Sequence, residues 1–119
     1  MKILVADDSR TTQKLLQVIL STAGYDVDVA VDGEEVLGII RQAPFDVVLM
    51  DVNMPGLDGL STARQIKGMA AEMPIPLLIG MSAETDAERH REFMDGGFDV
   101  FFQKPLDTNA IKAYLATLT

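Results

Sequence analysis

The chain contains no cysteine, which excludes a disulfide framework and any metal held by thiolates. It has no apolar run near the roughly 18 residues that a membrane span requires. The opening Ile3-Leu4-Val5-Ala6 is also too short for the core of a secretory signal. Positive charge is scarce, 10 Lys and Arg against 18 Asp and Glu for a net charge of −8, and no Lys/Arg-rich stripe offsets the deficit locally. That balance argues against direct binding to nucleic acid phosphates. Neither Gly-x-Gly-x-x-Gly nor Gly-x-x-x-x-Gly-Lys-Ser/Thr occurs, so nothing points to a nucleotide-binding enzyme. There is no internal repeat, low-complexity tract or linker. What the chain does have is 119 residues, 48% of them hydrophobic, enough to bury one core. A single cytoplasmic domain over residues 1–119 is the expectation.

The pattern centres on Phe45-Asp46-Val47-Val48-Leu49-Met50-Asp51-Val52-Asn53-Met54-Pro55-Gly56-Leu57-Asp58-Gly59. Val47 to Met50 read as a strand buried on both faces, hence an interior parallel strand. Asp51 stands where that strand meets the surface, before a turn that Pro55 and Gly56 make stiff and tight. Lys2 to Ala6 and Leu77 to Met81 are similar runs, ending in Asp7-Asp8 and Ser82-Ala83. Asp99 to Gln103 is a further strand, running into Lys104-Pro105. Tyr25 to Val31 alternates, with Tyr25, Val27, Val29 and Val31 set against Asp26, Asp28 and Ala30, which suits a half-exposed edge strand.

Helices fill the gaps. The first follows Ser9 and carries Leu15, Leu16, Ile19 and Leu20 as its apolar stripe, ending at Gly24. Asp32 can cap the second, with Val36, Leu37, Ile39 and Ile40 buried, and Asp58 the third, with Leu60, Ala63 and Ile66. Glu84 to Met94 reads as a charged, loosely packed fourth helix whose strongly apolar residues are Phe93 and Met94. The fifth begins near Asp107 or Thr108 and presents Ile111, Leu115 and Leu118. Strands alternating with helices imply a doubly wound α/β fold with a five-stranded parallel sheet. An edge position for the second strand favours the flavodoxin-like order 2-1-3-4-5.

In such a sheet Asp7, Asp8, Asp51, Ser82 and Lys104 all reach the carboxyl edge, beside the crevice where ligands bind. Clustered carboxylates raise a pKa or recruit a cation. With oxygen ligands and no Cys or nearby His, that cation is Mg²⁺, with Mn²⁺ as the alternative. The cluster therefore reads as a phosphoryl-binding place with Asp51 as nucleophile, Lys104 as fixed charge and Ser82 as hydroxyl donor.

Taken in order, Asp7-Asp8, Asp51-Val-Asn-Met-Pro-Gly-Leu-Asp-Gly59, Ser82-Ala83 and Lys104-Pro105 make the whole chain resemble the receiver (CheY-like) domains of two-component response regulators. The resemblance implies that Asp51 is the phosphoacceptor and that Asp8 and Asp51 ligate the metal directly. Asp7 would act through water, and Asn53 would lend its backbone carbonyl. Ser82 and Lys104 would bind the phosphoryl group, the Lys104-Pro105 bond would be cis, and Phe101 would be the switch aromatic, here without a tyrosine hydroxyl. It further implies a phosphorylation-controlled signalling module. A histidine kinase or histidine phosphotransfer protein would supply the phosphoryl group, and a downstream protein would bind the face formed by helix four, strand five and helix five. The receiver would be a monomer, with dimerisation on phosphorylation left open, and would catalyse nothing beyond its own phosphoryl transfer and dephosphorylation.

Each motif alone has a plainer explanation. Asp7-Asp8 could serve a helix dipole, Asp51 a turn and Lys104-Pro105 a surface bend. Independent caps have no reason to fall at four strand ends around one crevice. Asp58-Gly59 is read as cap and turn only, and His90 as a solvated residue without a role. Glu84, near the mouth of the site, is a position expected to tune phosphoryl lifetime. Two other functions compete. A phosphatase of the haloacid dehalogenase type would want a second Asp two residues beyond the nucleophile, where Asn53 stands, and a nucleophile nearer the start of the chain. An unphosphorylated docking domain would not need the intact acidic set and lysine.

Overall fold

The three longest apolar runs form the middle of the sheet. In the computed structural model, which describes residues 1–54 and 56–118, they are β1 (Lys2–Ala6), β3 (Val47–Asp51) and β4 (Leu77–Ser82). The sheet is completed at its two edges by β2 (Asp26–Ala30) and β5 (Val100–Gln103). Every pairing is parallel and the order is β2-β1-β3-β4-β5, the doubly wound arrangement that the alternation of elements predicts. The expected contribution of Pro55 to the turn after β3 lies outside the described residues.

The connections are α1 (Arg10–Thr22), α2 (Gly33–Gln42), α3 (Gly59–Gly68), α4 (Ala87–Asp95) and α5 (Thr108–Ala116), with a 3-10 turn at Met69–Ala71. Alternate strand residues face opposite sides, so the sheet has two cores. Val5, Leu49 and Ile79 pack with Leu16 and Leu20 of α1 and with Ile111 and Leu115 of α5. Leu4, Val48 and Leu78 pack beneath α2, α3 and α4 through Val36, Ile66 and Phe93. The α1 and α3 crossovers leave β1 and β3 towards opposite faces, and the crevice opens between them.

Several helix faces differ from the expected stripes. Leu15 is 48% exposed while Leu16 and Leu20 are fully buried. Neighbours in a helix lie about 100° apart, so only one of Leu15 and Leu16 can point at the sheet. The buried face of α1 is completed instead by Gln13, three residues before Leu16 and seven before Leu20. Leu118 is exposed because α5 ends at Ala116, and Met94 is exposed because Phe93 takes the inward position of α4. The alternation of β2 breaks at its end, where Ala30 is buried and Val31 exposed.

The fourth helix begins at Ala87, three residues after the expected Glu84. Glu84 instead accepts hydrogen bonds from the backbone N–H groups of Thr85 and Asp86, and Asp86 takes the capping role by accepting from Glu88 N–H. Ser9, Asp32, Asp58 and Asp107 cap the other helices. Asp32 accepts from Glu35 N–H at 2.8 Å, and Asp32→Ala is expected to lower stability by about 1 kcal/mol in urea denaturation.

Candidate functional site

The site is assembled from the residues at or just past four strand ends. Asp7 continues the ladder of β1 by donating its N–H to Ala30 O at 3.2 Å, which leaves its side chain at the crevice. Its carboxylate is fully buried and accepts from Ser9 N–H at 2.8 Å. The buried Gln13 side-chain amide donates to the Asp7 carbonyl, so α1 holds the turn that carries the first acidic residue. The signal for Gln13 was a polar residue three ahead of Leu16 and seven ahead of Leu20, on the buried stripe.

Asp51 ends β3 and is 5% exposed, with Oδ1 accepting from Asn53 N–H at 2.9 Å. Ser82 ends β4, fully buried. It is one residue beyond Met81, which is in register with Asp51. Its Oγ accepts from Glu84 N–H at 2.9 Å, and its carbonyl accepts from Lys104 N–H at 2.7 Å. Lys104, just past β5, reaches back across the sheet. Its Nζ lies 2.8 Å from Asp51 Oδ2 and 3.3 Å from Asp7 Oδ2. The Lys104–Pro105 bond is cis, as the resemblance implies.

These charges hold one another in place. Burial pushes the Asp7 carboxyl above its ordinary value, helped by the Asp51 charge and opposed by the Ser9 N–H and Lys104. Burial also opposes the Lys104 ammonium, but the hydrogen bond and charge of Asp51, with those of Asp7, more than offset it and leave its pKa raised. A carboxylate pair that needs a lysine between its members is a place where added positive charge is welcome.

Asp7, Asp8 and Asp51 each offer an oxygen, and these atoms lie within 4.8 Å of one another. Ligands held at about 2.1 Å by one Mg²⁺ are at most about 4.2 Å apart. The spread therefore admits two direct carboxylate ligands and a third through water. All the donors are hard oxygens, and Asp8 is exposed, leaving room for the waters that Mg²⁺ retains. The residues fit the ion.

Residues 3–116 match the family model of the response regulator receiver domain. The chain belongs to that family. It is 33% identical over 99% of its length to the sensor protein EvgS of Escherichia coli K12, of which it spans 10%. It is 35% identical over 98% of its length to the response regulator MprA of Mycolicibacterium vanbaalenii, of which it spans 49%. Among solved structures, the chemotaxis protein CheY4 of Vibrio cholerae superposes with a TM-score of 0.89 at 29% identity, covering 99% of this chain and 98% of that one. The chain thus spans half or less of the length of these two curated relatives, one a sensor protein and one a response regulator. Receivers of this family are signalling modules of two-component systems, work with histidine kinases and phosphotransfer proteins, and generally bind Mg²⁺.

Within this receiver, Asp7, Asp8, Asp51 and Lys104 converge, with Ser82 beside them and Asn53 on the exposed turn after β3. Phe101 stands apart from the charges, on the side of the sheet that carries α4. Its ring stacks on Phe93 with centroids 5.2 Å apart and meets Phe98 edge-on at 6.1 Å. His90 departs from the expected solvated residue. It is half-buried, its ring centroid is 5.1 Å from that of Phe101, and its Nε2 bonds to the Glu84 carbonyl. The charged residues around His90 gave no sign of this, because the ring that covers it comes from β5. Among the described residues no helix is long and apolar enough to cross a membrane.

Proposed function

We propose that this receiver takes a phosphoryl group onto Asp51 from a phosphohistidine of a histidine kinase or histidine phosphotransfer protein, and that the modification changes which downstream protein it binds. The observation that supports this most directly is the Lys104 ammonium bridging Asp51 and Asp7 beside Asp8 at the mouth of the crevice. A carboxylate oxygen of Asp51 attacks phosphorus, the P–N bond to the donor imidazole breaks, and the imidazole leaves with its electron pair and picks up a proton. Bound at Asp8, Asp51 and the Asn53 carbonyl, with Asp7 acting through water, Mg²⁺ (or Mn²⁺) would neutralise charge on the phosphoryl oxygens. Lys104 offers an ammonium and Ser82 a hydroxyl to those oxygens, so positioning and charge neutralisation make up nearly all of the catalysis. Hydrolysis of the acyl phosphate by water returns Asp51. No other reaction is assigned to the receiver.

The proposed output surface is α4–β5–α5. Phe93 is the one buried residue of α4, so that helix is lightly held and can shift at modest cost. The surroundings expected are the cytoplasm, with one domain over residues 1–119 acting as a monomer.

Intact mass after incubation with acetyl phosphate tests the reading. One phosphoryl group is expected on the native protein with Mg²⁺, with little or none after chelation and none on Asp51→Asn. Equal labelling of Asp51→Asn, or no labelling under any condition, would overturn it and leave docking without phosphorylation as the better reading.

A further inference from the structure

We infer that His90 is a positioning residue that ties the Ser82 hydroxyl in the crevice to the aromatic stack under α4. The inference rests on the phosphoryl reading above. Its basis is an unbroken chain of contacts between the crevice and the aromatic stack, two places on one side of the sheet. Ser82 Oγ accepts from Glu84 N–H at 2.9 Å. The carbonyl of the same Glu84 is bound by His90 Nε2, and because a carbonyl only accepts, that nitrogen must carry the proton. The His90 ring lies 5.1 Å from Phe101 and 6.4 Å from Phe93.

Phe101 is in turn seated on β4 itself. A Cβ on Gly80 would meet the Phe101 ring at 2.7 Å, so the ring occupies the space that any side chain at 80 would need. Gly80 and Ser82 are two residues apart on one strand and therefore share a face. The hydroxyl, the notch and the ring thus line one side of β4, and the His90 bond closes the loop over them.

The consequence is mechanical. An anionic oxygen that arrives in the crevice and takes the Ser82 hydroxyl hydrogen pulls Oγ towards itself, and the Glu84 N–H follows its acceptor. The Glu84 carbonyl belongs to the same residue, so it moves as well and carries the His90 ring, which rests on Phe101. Without the Nε2–H bond, the loop between β4 and α4 could follow Ser82 while the helix stayed where it was. Two-state coupling of this kind requires contacts that differ between the states, and the bond at His90 is the contact best placed to differ.

The test uses the full chain with Mg²⁺ and beryllofluoride, followed through backbone amide resonances. In the native protein the amides of Ser82 and Glu84 and those of Phe101 and Met94 are expected to shift in parallel. His90→Phe keeps a ring and loses the donor. Its Ser82 shift should match the native one while the Phe101 and Met94 shifts fall below roughly half. His90→Gln keeps an amide N–H within reach and should restore most of the response at unchanged Tm. Native-sized Phe101 shifts in His90→Phe, or a failure of His90→Gln to improve on it, would overturn the assignment of His90 alone. Should His90→Phe not fold, the native ring nitrogens decide. A proton on Nε2 and a ring signal displaced by beryllofluoride support the link, whereas a proton on Nδ1 or an unmoved signal removes it. An absence of any Ser82 response in the native protein removes the phosphoryl reading, and this inference with it.

Discussion

Lys104→Met is expected to cost the metal-free protein about 3 kcal/mol at neutral pH, and millimolar Mg²⁺ should return most of that loss. The Lys104 ammonium is the cation on both Asp51 and Asp7, and these carboxylates are 5% and 0% exposed. Taking one partner from a buried ion pair leaves uncompensated charge behind, which typically costs about 3–5 kcal/mol. The lower end applies because Asp8 is exposed and water reaches the cluster from that side. The pH dependence follows from the two raised pKa values. Stability contributed by Lys104 is fully present below the ordinary lysine pKa of about 10.4 and is lost as pH rises through its higher folded value. Protonation of Asp7 favours the folded state, so its contribution is fully present below 3.8 and is lost as pH rises through the raised folded value. In Lys104→Met the stability contributed by the lysine disappears, and Asp7 loses the charge that opposed its rise. Relative to the native protein, the variant should therefore gain stability on mild acidification and lose less in strong alkali. Urea denaturation across pH, with Mg²⁺ and with chelator, measures all of this. Equal stability of the two proteins at neutral pH without metal would mean that the lysine compensates nothing.

The strand ends were legible because a parallel strand buried on both faces is an uninterrupted apolar run, and the first polar residue after each run is its carboxyl end. Asp7, Asp51 and Ser82 were therefore found without any knowledge of how the strands pair, whereas Lys104 follows Gln103 at the end of the half-exposed β5 and was marked by the proline after it. Their order rested on one further cue, the alternation in β2. What the sequence left open depended on contacts between distant elements. An apolar stripe gives the face of a helix to within about one residue, which is why Leu15 and Met94 looked as inward as Leu16 and Phe93. The start of α4 was misplaced because the charged run from Glu84 onward reads as one helix, whereas Asp86 caps it and the helix begins at Ala87. His90 was unreadable for a similar reason, since its burial comes from Phe101 on a neighbouring element and its hydrogen bond from a backbone carbonyl. That Lys104 would span Asp7 and Asp51 together was likewise a matter of distances across the sheet.

A large loss of stability without any change of charge is expected from Gly59→Ala. Gly59 begins α3, and a Cβ there would lie 2.6 Å from Asp51 O and 2.6 Å from Val52 Cα. Both are backbone atoms, so no flexible side chain can swing aside, and α3 would have to retreat from the end of β3. Overpacking costs typically about 1–3 kcal/mol, and a clash of this kind belongs at or above the top of that range. The same retreat would stretch the bond from Gly59 N–H to Val52 O, now 3.1 Å, and shift the turn carrying Asn53, whose N–H holds Asp51 Oδ1. Mg²⁺ binding should therefore weaken along with the fold. Gly38 supplies the contrast within the same molecule. It lies inside α2 with nothing within 4 Å of a Cβ built there, so Gly38→Ala should stabilise by about 0.5–1 kcal/mol through helix propensity alone. Opposite signs for two Gly→Ala changes in helices would locate the cost of the first in the close approach of α3 to the strand that carries Asp51. Matching signs would mean that β3 and α3 can separate freely, and the site would then owe its geometry to the charges and not to the packing beneath them.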